Sequence, residues 1–282
     1  MPEGHTIHRA SRDHNKALAG QSVRITSPQG RFDVAPLLCR PSEEVTLKRV
    51  EAYGKHLFYV FERERSVHVH LGLFGRFYRH KSPPPPPRDS TRMRLEGALV
   101  TIDLVGPTAC EVLAPARKAE LLARIGPDPL GDDASPEAFY DYLTRSKAPI
   151  GAVLLDQSVI SGVGNVYRAE VLHLLRVHPS TAARALPPRT ARAMWELLVG
   201  LLRRGVEEKR IVTTQGLELD VPRKRIPRAE SLHVYGRRTC RSCGGDVARF
   251  TQRARTTYVC VTCQPYVDET PPATRPRCTR LT

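Results

Sequence analysis

Four cysteines near the carboxyl-terminal end form two Cys-x-x-Cys pairs, Cys240 with Cys243 and Cys260 with Cys263, separated by sixteen residues. Each pair can place two thiolates on one tetrahedral zinc ion, and the spacer is long enough for a β-hairpin. Two disulfides or free thiols are the alternative. Because four thiolates complete the coordination of zinc, the pattern predicts one structural Zn²⁺ per chain and no catalytic metal.

The charge of the chain points to a polyanionic partner. The 282 residues carry a formal net charge of +15, and residues 222–255 contain ten Lys/Arg against two acidic residues. A solvated protein surface usually mixes both signs, so this bias favours phosphate binding. No stretch reaches the roughly 20 apolar residues of a membrane span, and no signal-peptide core is present. We therefore expect a cytoplasmic protein with no membrane partner.

The amino-terminal residues Met1-Pro2-Glu3-Gly4 suggest a nucleophile. Removal of Met1 before the small Pro2 would free a secondary amine whose pKa is about 8, so part of it is neutral at physiological pH. A neutral amine can attack a sugar C1′ or an aldehyde and form a Schiff base. The alternative is that Pro2 is an ordinary second residue, and this short motif alone favours that alternative.

Periodicity divides the chain into a β-rich part and a helical part. A helix is predicted over residues 5–19, and strand-like runs follow at 57–61, 67–71 and 99–104. Residues 126–133 are dense in Gly, Pro and Asp and indicate a linker. Helical patterns then begin, including predicted helices at 150–157 and 166–177 and an apolar stripe from Ala191 to Leu202 that is most simply core.

Three short motifs could carry function, and each has a simpler explanation. The glycines of the segment from Ser161 to Tyr167 let backbone N–H groups approach a phosphate, or they form a tight helical corner. Lys55 follows Gly54 before a strand and could equally be a solvated turn residue. Leu73 and Phe74 lie between two glycines and are either a wedge that enters a base stack or buried core residues.

Taken together in chain order, these motifs resemble the formamidopyrimidine-DNA glycosylase / endonuclease VIII family of base-excision repair enzymes over about residues 2–264. The matching segments are Pro2-Glu3-Gly4, Gly54-Lys55, the helix–two-turn–helix signature from Ser161 to Tyr167, Val234-Tyr235-Gly236-Arg237 before the cysteines, and Arg255 five residues before Cys260. Each motif is moderately specific alone, whereas their common order is highly specific.

The resemblance implies catalytic roles for three residues. Pro2 would attack C1′, and Glu3 would assist by protonation and by stabilising charge near the sugar. Lys55 would contact the phosphate or sugar beside the lesion. Expulsion of the base would leave a Schiff base, and proton abstraction next to it would allow elimination of the phosphates and cleavage of the strand.

The resemblance also implies DNA contacts. Asn165 and Arg255 would hold phosphates on either side of a flipped nucleotide, and Tyr167 belongs to the same DNA-binding set. Leu73 and Phe74 would fill the gap left by the flipped base, which agrees with the need to extrude a nucleotide before chemistry at its C1′.

Two departures from the family pattern narrow the prediction. His5 and Thr6 stand where many members have a second Pro-Glu, so any role of that carboxylate is not transferred. Residues 105–113 lack the Arg/Phe wedge loop of the formamidopyrimidine branch. Both departures favour the endonuclease VIII branch and oxidised pyrimidines as substrates.

The expected fold is α+β, with an N-terminal helix and two-layer β-sandwich followed by a helical domain and a zinc hairpin. The expected divisions are a catalytic domain at 1–125, a linker at 126–134, a helix–two-turn–helix domain at 135–230, the zinc-finger hairpin at 231–266 and a disordered tail at 267–282. The resemblance implies a bifunctional DNA glycosylase and AP lyase of base excision repair. It would act as a monomer on damaged double-stranded DNA at the bacterial nucleoid.

Two alternatives come from other functional classes. The first is a non-catalytic binder of damaged or abasic DNA, against which the presence of Pro2, Glu3 and Lys55 argues. The second is a zinc-ribbon transcription or translation factor, which would need no processed N-terminus.

Overall fold

The computed structural model describes residues 2–37, 44–132, 134–214 and 225–266. Its first element is helix α1 (Gly4–Leu18), which lies close to the range expected from periodicity. The buried side of α1 carries Ile7, Ala10 and Leu18, and the chain turns at Gly20, where φ is 78°. The helix therefore packs on the sheet through its apolar stripe, and two residues after its end the chain turns at a glycine that tolerates the left-handed conformation.

Eight antiparallel strands follow α1 in the first half of the chain. They are β1 (Ser22–Thr26), β2 (Glu44–Tyr53), β3 (His56–Phe61), β4 (Ser66–His70), β5 (Arg76–Lys81), β6 (Thr91–Glu96), β7 (Val100–Val105) and β8 (Ala109–Leu113). The strand order is β5-β7-β6-β1-β2-β3-β4-β8. Strand β2 pairs with β1 through its first residues and with β3 through the rest, with a register shift between Leu47 and Arg49.

One apolar core joins the two halves of this folded sheet. Val23 and Ile102 from the β5-β7-β6-β1 half lie in the same buried cluster as Leu57 and Val69 from the β3-β4-β8 half, together with residues of α1. Because both halves contribute their inner faces to one cluster, the arrangement is the expected helix plus β-sandwich.

The second half of the chain is helical. Its helices are α2 (Pro115–Leu122), α3 (Glu137–Arg145), α4 (Ile150–Val153), α5 (Asn165–Leu174) and α6 (Pro188–Glu208). The stripe from Ala191 to Leu202 lies in the core of this part, as expected. Helix α4 is shorter than predicted because Asp156 accepts hydrogen bonds from the backbone N–H and the hydroxyl of Ser158, which stabilises a turn instead.

Strands β9 (Val247–Gln252) and β10 (Arg255–Cys260) form a separate hairpin. Its two-residue turn is Arg253-Ala254, and both residues have positive φ, as a type I′ turn requires. The hairpin lies between the two cysteine pairs, as their spacing predicted. The expected tail at 267–282 and the basic residues Arg223 and Lys224 lie outside the described residues. Within the described part of the chain, no helix is both long and apolar enough to cross a membrane.

Candidate active site and nucleic-acid interface

A cavity of about 850 Å³ lies where the start of α1, the β2–β3 turn, the loop before β5, the segment before α5 and the β9–β10 hairpin meet. Six of the residues selected from the sequence line it: Pro2, Lys55, Leu73, Phe74, Asn165 and Arg255. These residues come from distant parts of the chain, so the fold itself assembles the predicted site.

Glu3 lies directly behind Pro2 and is fully buried. Its carboxylate accepts hydrogen bonds from the backbone N–H groups of Gly164 and Val166 at 3.0 and 2.8 Å, and from that of Tyr167 at 3.4 Å. These N–H groups belong to the N-cap residue and the first turn of α5, where the helix dipole favours a negative charge. Burial nevertheless raises the pKa of Glu3 above its usual value, against the opposing effects of Lys55 and the three N–H groups.

Lys55 reaches the cavity from the β2–β3 turn. Its Nζ donates a hydrogen bond to the carbonyl of Val163 at 2.6 Å. Burial lowers the pKa of Lys55, whereas Glu3 acts in the opposite direction and Arg255 adds to the lowering. The ammonium is thus held at the cavity wall beside the buried carboxylate, and the solvated-turn interpretation of Lys55 is excluded.

Glycines allow the two parts of the molecule to touch through bare backbone at this site. The N–H of Gly4 donates to the carbonyl of Gly162 at 2.8 Å, and a Cβ at Gly4 would lie 2.9 Å from the Cα of Gly162. A Cβ at Gly164 would lie 2.4 Å from the carboxyl carbon of Glu3. Side chains at these positions would push the N-terminus away from α5.

Asp128 is a site residue that the sequence analysis missed. It lies in the segment predicted to be a linker, yet it is buried and its Oδ2 contacts both His8 Nε2 and the N–H of Gly54 at 2.7 Å. It therefore ties the lysine-bearing turn to α1. An aspartate between two prolines normally indicates a solvated turn, so local sequence holds no signal for this contact.

Asn165 connects the start of α5 to the hairpin. Its Nδ2 donates to the carbonyl of Thr256 at 2.9 Å, and Arg168 donates to its Oδ1. Arg168 is fully buried and also donates to the carbonyl of Thr256, at 3.0 Å. Asn165 still lines the cavity, but its amide already orients the strand that carries Arg255.

The loop from Gly72 to Gly75 holds two large apolar side chains out of the core. Leu73 is 45% exposed and Phe74 is 80% exposed, so the buried-core alternative is wrong. Gly72 has φ of 63°, and a Cβ there would lie 1.9 Å from Thr108 Oγ1. A Cβ at Gly75 would lie 2.3 Å from the carbonyl oxygen of Leu71. Both glycines are thus needed to present Leu73 and Phe74 at the cavity.

Two arginines of the hairpin face the same cavity. Arg255 begins β10, and Arg253, in the turn, donates to Asp156 Oδ2 at 2.8 Å. The hairpin thereby adds positive charge to the cavity that Lys55 also lines.

The four cysteines form a compact cluster at the base of the hairpin. All four Sγ atoms lie within 4.8 Å of one another, with Cys240 and Cys263 4.0 Å apart and Cys243 and Cys260 3.5 Å apart. Four thiolates about 2.3 Å from a tetrahedral zinc ion are separated by about 3.8 Å, so the donor set fits such a metal.

Comparison with known proteins defines the family. The models of the formamidopyrimidine-DNA glycosylase N-terminal domain and H2TH domain match residues 1–105 and 125–216. The chain is 40% identical over 271 residues to endonuclease 8 1 of Mycobacterium tuberculosis, with 94% of this chain and 100% of the relative covered. The chain belongs to the formamidopyrimidine-DNA glycosylase / endonuclease VIII family.

Other relatives come from both branches of the family. A probable endonuclease 8 2 of Streptomyces coelicolor is 33% identical over 276 residues, with 94% of each chain covered. A formamidopyrimidine-DNA glycosylase of Methylobacterium nodulans is 31% identical over 302 residues, covering 94% of this chain and 99% of the relative. Members of the family are DNA glycosylases with AP lyase activity, and this chain is a DNA glycosylase of base excision repair.

Solved structures share the fold. The formamidopyrimidine-DNA glycosylase of Lactococcus lactis, bound non-covalently to DNA containing an AP site, aligns with a TM-score of 0.76 at 20% identity and covers 94% of this chain and 100% of its own. The same enzyme bound to DNA containing N7-benzyl-Fapy-dG aligns with a TM-score of 0.78 at 20% identity, with the same coverage.

The prediction that Tyr167 contacts DNA is wrong. Its side chain is fully buried, its hydroxyl donates to the carbonyl of Leu201 at 3.4 Å, and its ring meets that of His5 edge-on at 5.4 Å. A side chain without accessible surface cannot contact DNA, so Tyr167 packs α5 against α6 and α1. Only its backbone N–H takes part in the site, through Glu3.

Glu170 is a second buried carboxylate that the sequence analysis missed. It accepts hydrogen bonds from the backbone N–H groups of His233, Val234 and Tyr235 at 2.7, 2.9 and 2.8 Å, and from the hydroxyl of Thr213. The segment entering the cysteine cluster is thus fixed to α5. Charged residues within an otherwise apolar helix, Arg168 and Glu170, were the available signal.

Proposed function

We propose that this enzyme uses the α-amino group of Pro2 to excise oxidised pyrimidines from double-stranded DNA and then cleaves the strand by elimination. The observation that carries the proposal is the position of Pro2 at the wall of the cavity, beside Lys55 and in front of the buried Glu3. No other arrangement in the described residues combines an amine that can be freed by processing, a buried carboxyl group and a basic rim.

The chemistry begins with the neutral amine of Pro2, which attacks C1′ of the flipped nucleotide. The C1′–N bond to the base breaks, and the base leaves with its bonding electron pair and a proton. The C1′–O4′ bond then breaks, O4′ keeps the electron pair and takes a proton, and the nitrogen lone pair completes an iminium between Pro2 and the opened sugar. Loss of a proton from C2′ then allows the 3′ phosphate to leave, and water finally releases Pro2.

Glu3 supports the first step. Burial favours the protonated form of its carboxyl group, which can donate a proton to the sugar. The ionised form is stabilised by the three N–H groups of α5 and by the positive charge of Lys55. The carboxyl group therefore suits both states that the reaction requires.

The DNA backbone is held by charge around the cavity. Lys55 and Arg255 both line the cavity, and the exposed Leu73 and Phe74 are proposed to fill the space of the extruded base. Asn165 is proposed to contact the backbone on the same side as Arg255. Such an interface binds phosphates without reading sequence.

Preference for oxidised pyrimidines rests on the β7–β8 connection. Only Gly106-Pro107-Thr108 joins these strands, and all three residues line the cavity. So short a turn has no room for an Arg/Phe wedge loop. The 40% identity to an endonuclease 8 supports the same branch.

The metal at Cys240, Cys243, Cys260 and Cys263 is proposed to be one structural Zn²⁺ ion. It would hold the hairpin that carries Arg253 and Arg255. Residues 1–125, 135–230 and 231–266 are proposed to act as the catalytic, helix–two-turn–helix and zinc-hairpin units.

Borohydride trapping on a duplex with one oxidised pyrimidine tests the proposal. Wild-type protein with a verified Pro2 terminus should become covalently attached to this duplex and not to undamaged DNA. Protein carrying an uncleaved N-terminal tag, and the Pro2→Gly variant, should bind the duplex but show sharply lower trapping. Equal trapping by the tagged protein would contradict the role of Pro2, and binding without trapping by wild type would favour a non-catalytic binder.

A further inference from the structure

Three histidines and one glutamate share the outer face of the β3-β4-β8 half of the sheet. His56 is paired with His70 across β3 and β4, and His68 is paired with Glu111 across β4 and β8. Side chains two residues apart on a strand point to the same face, so these four form a continuous row. We call this row the histidine ladder.

The hydrogen bonds of the ladder determine which ring nitrogen of His68 and of His56 carries the proton. His68 Nδ1 lies 3.0 Å from Glu111 Oε1, and His68 Nε2 lies 2.9 Å from His56 Nδ1. An ionised carboxylate only accepts, so His68 carries its proton on Nδ1 and accepts at Nε2. His56 then donates from Nδ1 and keeps an unprotonated Nε2, which has no hydrogen-bond partner among the described residues.

The ladder ends at the cavity. His70 lines the cavity, and its Nδ1 accepts the N–H of Gly72 at 3.2 Å. Its proton therefore sits on Nε2. The rings of His56 and His70 are 5.1 Å apart, so His56 packs behind the cavity wall at the base of the loop that presents Leu73 and Phe74.

Burial and nearby positive charges keep the three histidines of the ladder neutral in the free protein. Burial lowers the pKa of His56 to about 3, and the neighbouring His68, His70 and Lys55 add to this effect. Burial also lowers the pKa of His68, against Glu111, and that of His70. From α2, Lys118 lies over the Phe58 ring that stacks on His68, and its charge is paired with Glu51 from β2.

The opposite end of the ladder is open to solvent. The side chain of Glu111 is 55% exposed, whereas that of His68 is 4% exposed.

A proton added to His56 at Nε2 allows the Nδ1 proton of His56 to move to His68 Nε2. The result is a His68 imidazolium that donates a hydrogen bond to the Glu111 carboxylate. One proton is taken from solvent, no heavy-atom bond changes, and the ladder passes from a net charge of −1 to 0.

We propose that DNA binding in the cavity is coupled to uptake of one proton by His56 and His68, with Glu111 as the positioning residue that stabilises the added charge. The coupling rests on the proposed function, because it needs phosphates near Lys55 and His70. Phosphates favour the charged imidazole, so affinity should decrease as pH rises through the range in which the bound ladder loses its proton. One linked proton changes affinity by up to about tenfold per pH unit.

Calorimetric titration with a duplex containing a tetrahydrofuran abasic analogue tests the coupling. At pH 6.5, binding enthalpies in two buffers of different ionisation enthalpy give the number of protons taken up. Glu111→Gln should lose most of the uptake shown by wild type. Glu64→Gln removes an equal, exposed charge that pairs with Lys48 and Arg49 at the far end of the β3–β4 hairpin, and should keep it. Equal uptake by Glu111→Gln and wild type would overturn the proposal.

Imidazole nitrogen chemical shifts of histidine-labelled protein provide a second measurement. His56 and His68 should both be neutral and protonated on Nδ1 in the free protein, and one of them should become charged in the complex at pH 6.5. Two neutral rings in the complex would contradict the coupling alone. Failure of wild type to bind the duplex would contradict the proposed function as well.

Discussion

The carboxylate of Glu3 accepts a hydrogen bond from the backbone N–H of Val166 at 2.8 Å, although 163 residues separate them along the chain. The second and third residues of the chain are thereby fixed against the first turn of α5. The amine proposed to react is positioned by a contact between the β-rich and helical parts, so catalysis depends on their relative placement.

Glu3→Gln should impair chemistry more than DNA binding. The amide NH₂ would face backbone N–H groups that need acceptors, which costs about 1–3 kcal/mol of stability and removes the acidic proton. Single-turnover excision at saturating enzyme should decrease strongly. Glu170→Gln is the matched control, because it also removes a buried acceptor of three N–H groups. It should raise Kd and leave the saturated rate closer to wild type. An equal loss of rate in both variants would show that Glu3 is structural only.

Leu73→Ala/Phe74→Ala should melt near the wild-type temperature, because both side chains are exposed. Truncation of a buried Phe costs about 3–5 kcal/mol, and that loss is not expected here. Base excision from duplex DNA should decrease steeply, since nothing replaces the lost stacking. Cleavage at a preformed abasic site should decrease less. An equal loss of base excision and of abasic-site cleavage would show that Leu73 and Phe74 are not the wedge.

Arg255→Ala should weaken binding to damaged DNA and lower the salt slope by about one unit, the result of one lost phosphate contact. Asp156→Asn provides a control of opposite sign. It releases Arg253 from its ion pair, so the salt slope should increase. Zinc content should be unchanged in both variants. An unaltered salt slope in Arg255→Ala would show that Arg255 makes no phosphate contact and is an ordinary solvated surface residue.

Cys240→Ala should remove bound zinc and disorder the hairpin. The apolar cluster beneath the hairpin is small and includes Cys240 and Cys260 themselves, so little packing remains without the metal. Metal analysis should find one zinc in wild type and a marked loss in the variant. The unfolding transition of the β-rich part should persist. Absence of zinc from wild-type protein purified without chelator would refute the assignment.

Stability should decrease as pH falls from 6.5 towards 4, in part because of His14. Its Nδ1 lies 2.8 Å from the Tyr59 hydroxyl in the core, and burial lowers its pKa from 6.5 to about 4. The unfolded chain binds the proton more readily, so His14 supports folding above pH 6.5 and loses this contribution, up to about 3 kcal/mol, on acidification. Urea unfolding of His14→Gln should show a lower starting stability and a flatter pH dependence. An unchanged pH dependence would exclude His14 as a contributor.

Patterns of residue type predicted the secondary-structure elements and their packing well, but they did not predict individual side-chain contacts. The apolar stripe of α1 and the spacing of the cysteines were sufficient, because burial periodicity and metal coordination are local properties. Leu73 and Phe74 could be recognised as two apolar residues between glycines, but the sequence did not show that both side chains are exposed, as the proposed wedge requires.

The missed residues share a different property. Asp128 and Glu170 act by accepting backbone N–H groups of distant segments, and Arg168 by donating to a distant carbonyl. Backbone groups are the same at every position, so no sequence signal names the partner. Tyr167 was misassigned for a related reason, since its motif contacts Glu3 through backbone N–H groups while the Tyr167 ring is buried.

The small cluster under the hairpin has a consequence for a cell under oxidative stress. Oxidants that damage bases also oxidise thiolates, and Cys243 is the exposed member of the four cysteines. Loss of one thiolate from the proposed zinc site would free the hairpin that carries Arg253 and Arg255, while Pro2, Glu3 and Lys55 are held by other elements. Repair would then be limited by weaker binding to the damaged duplex, while the amine that is proposed to react stays in place.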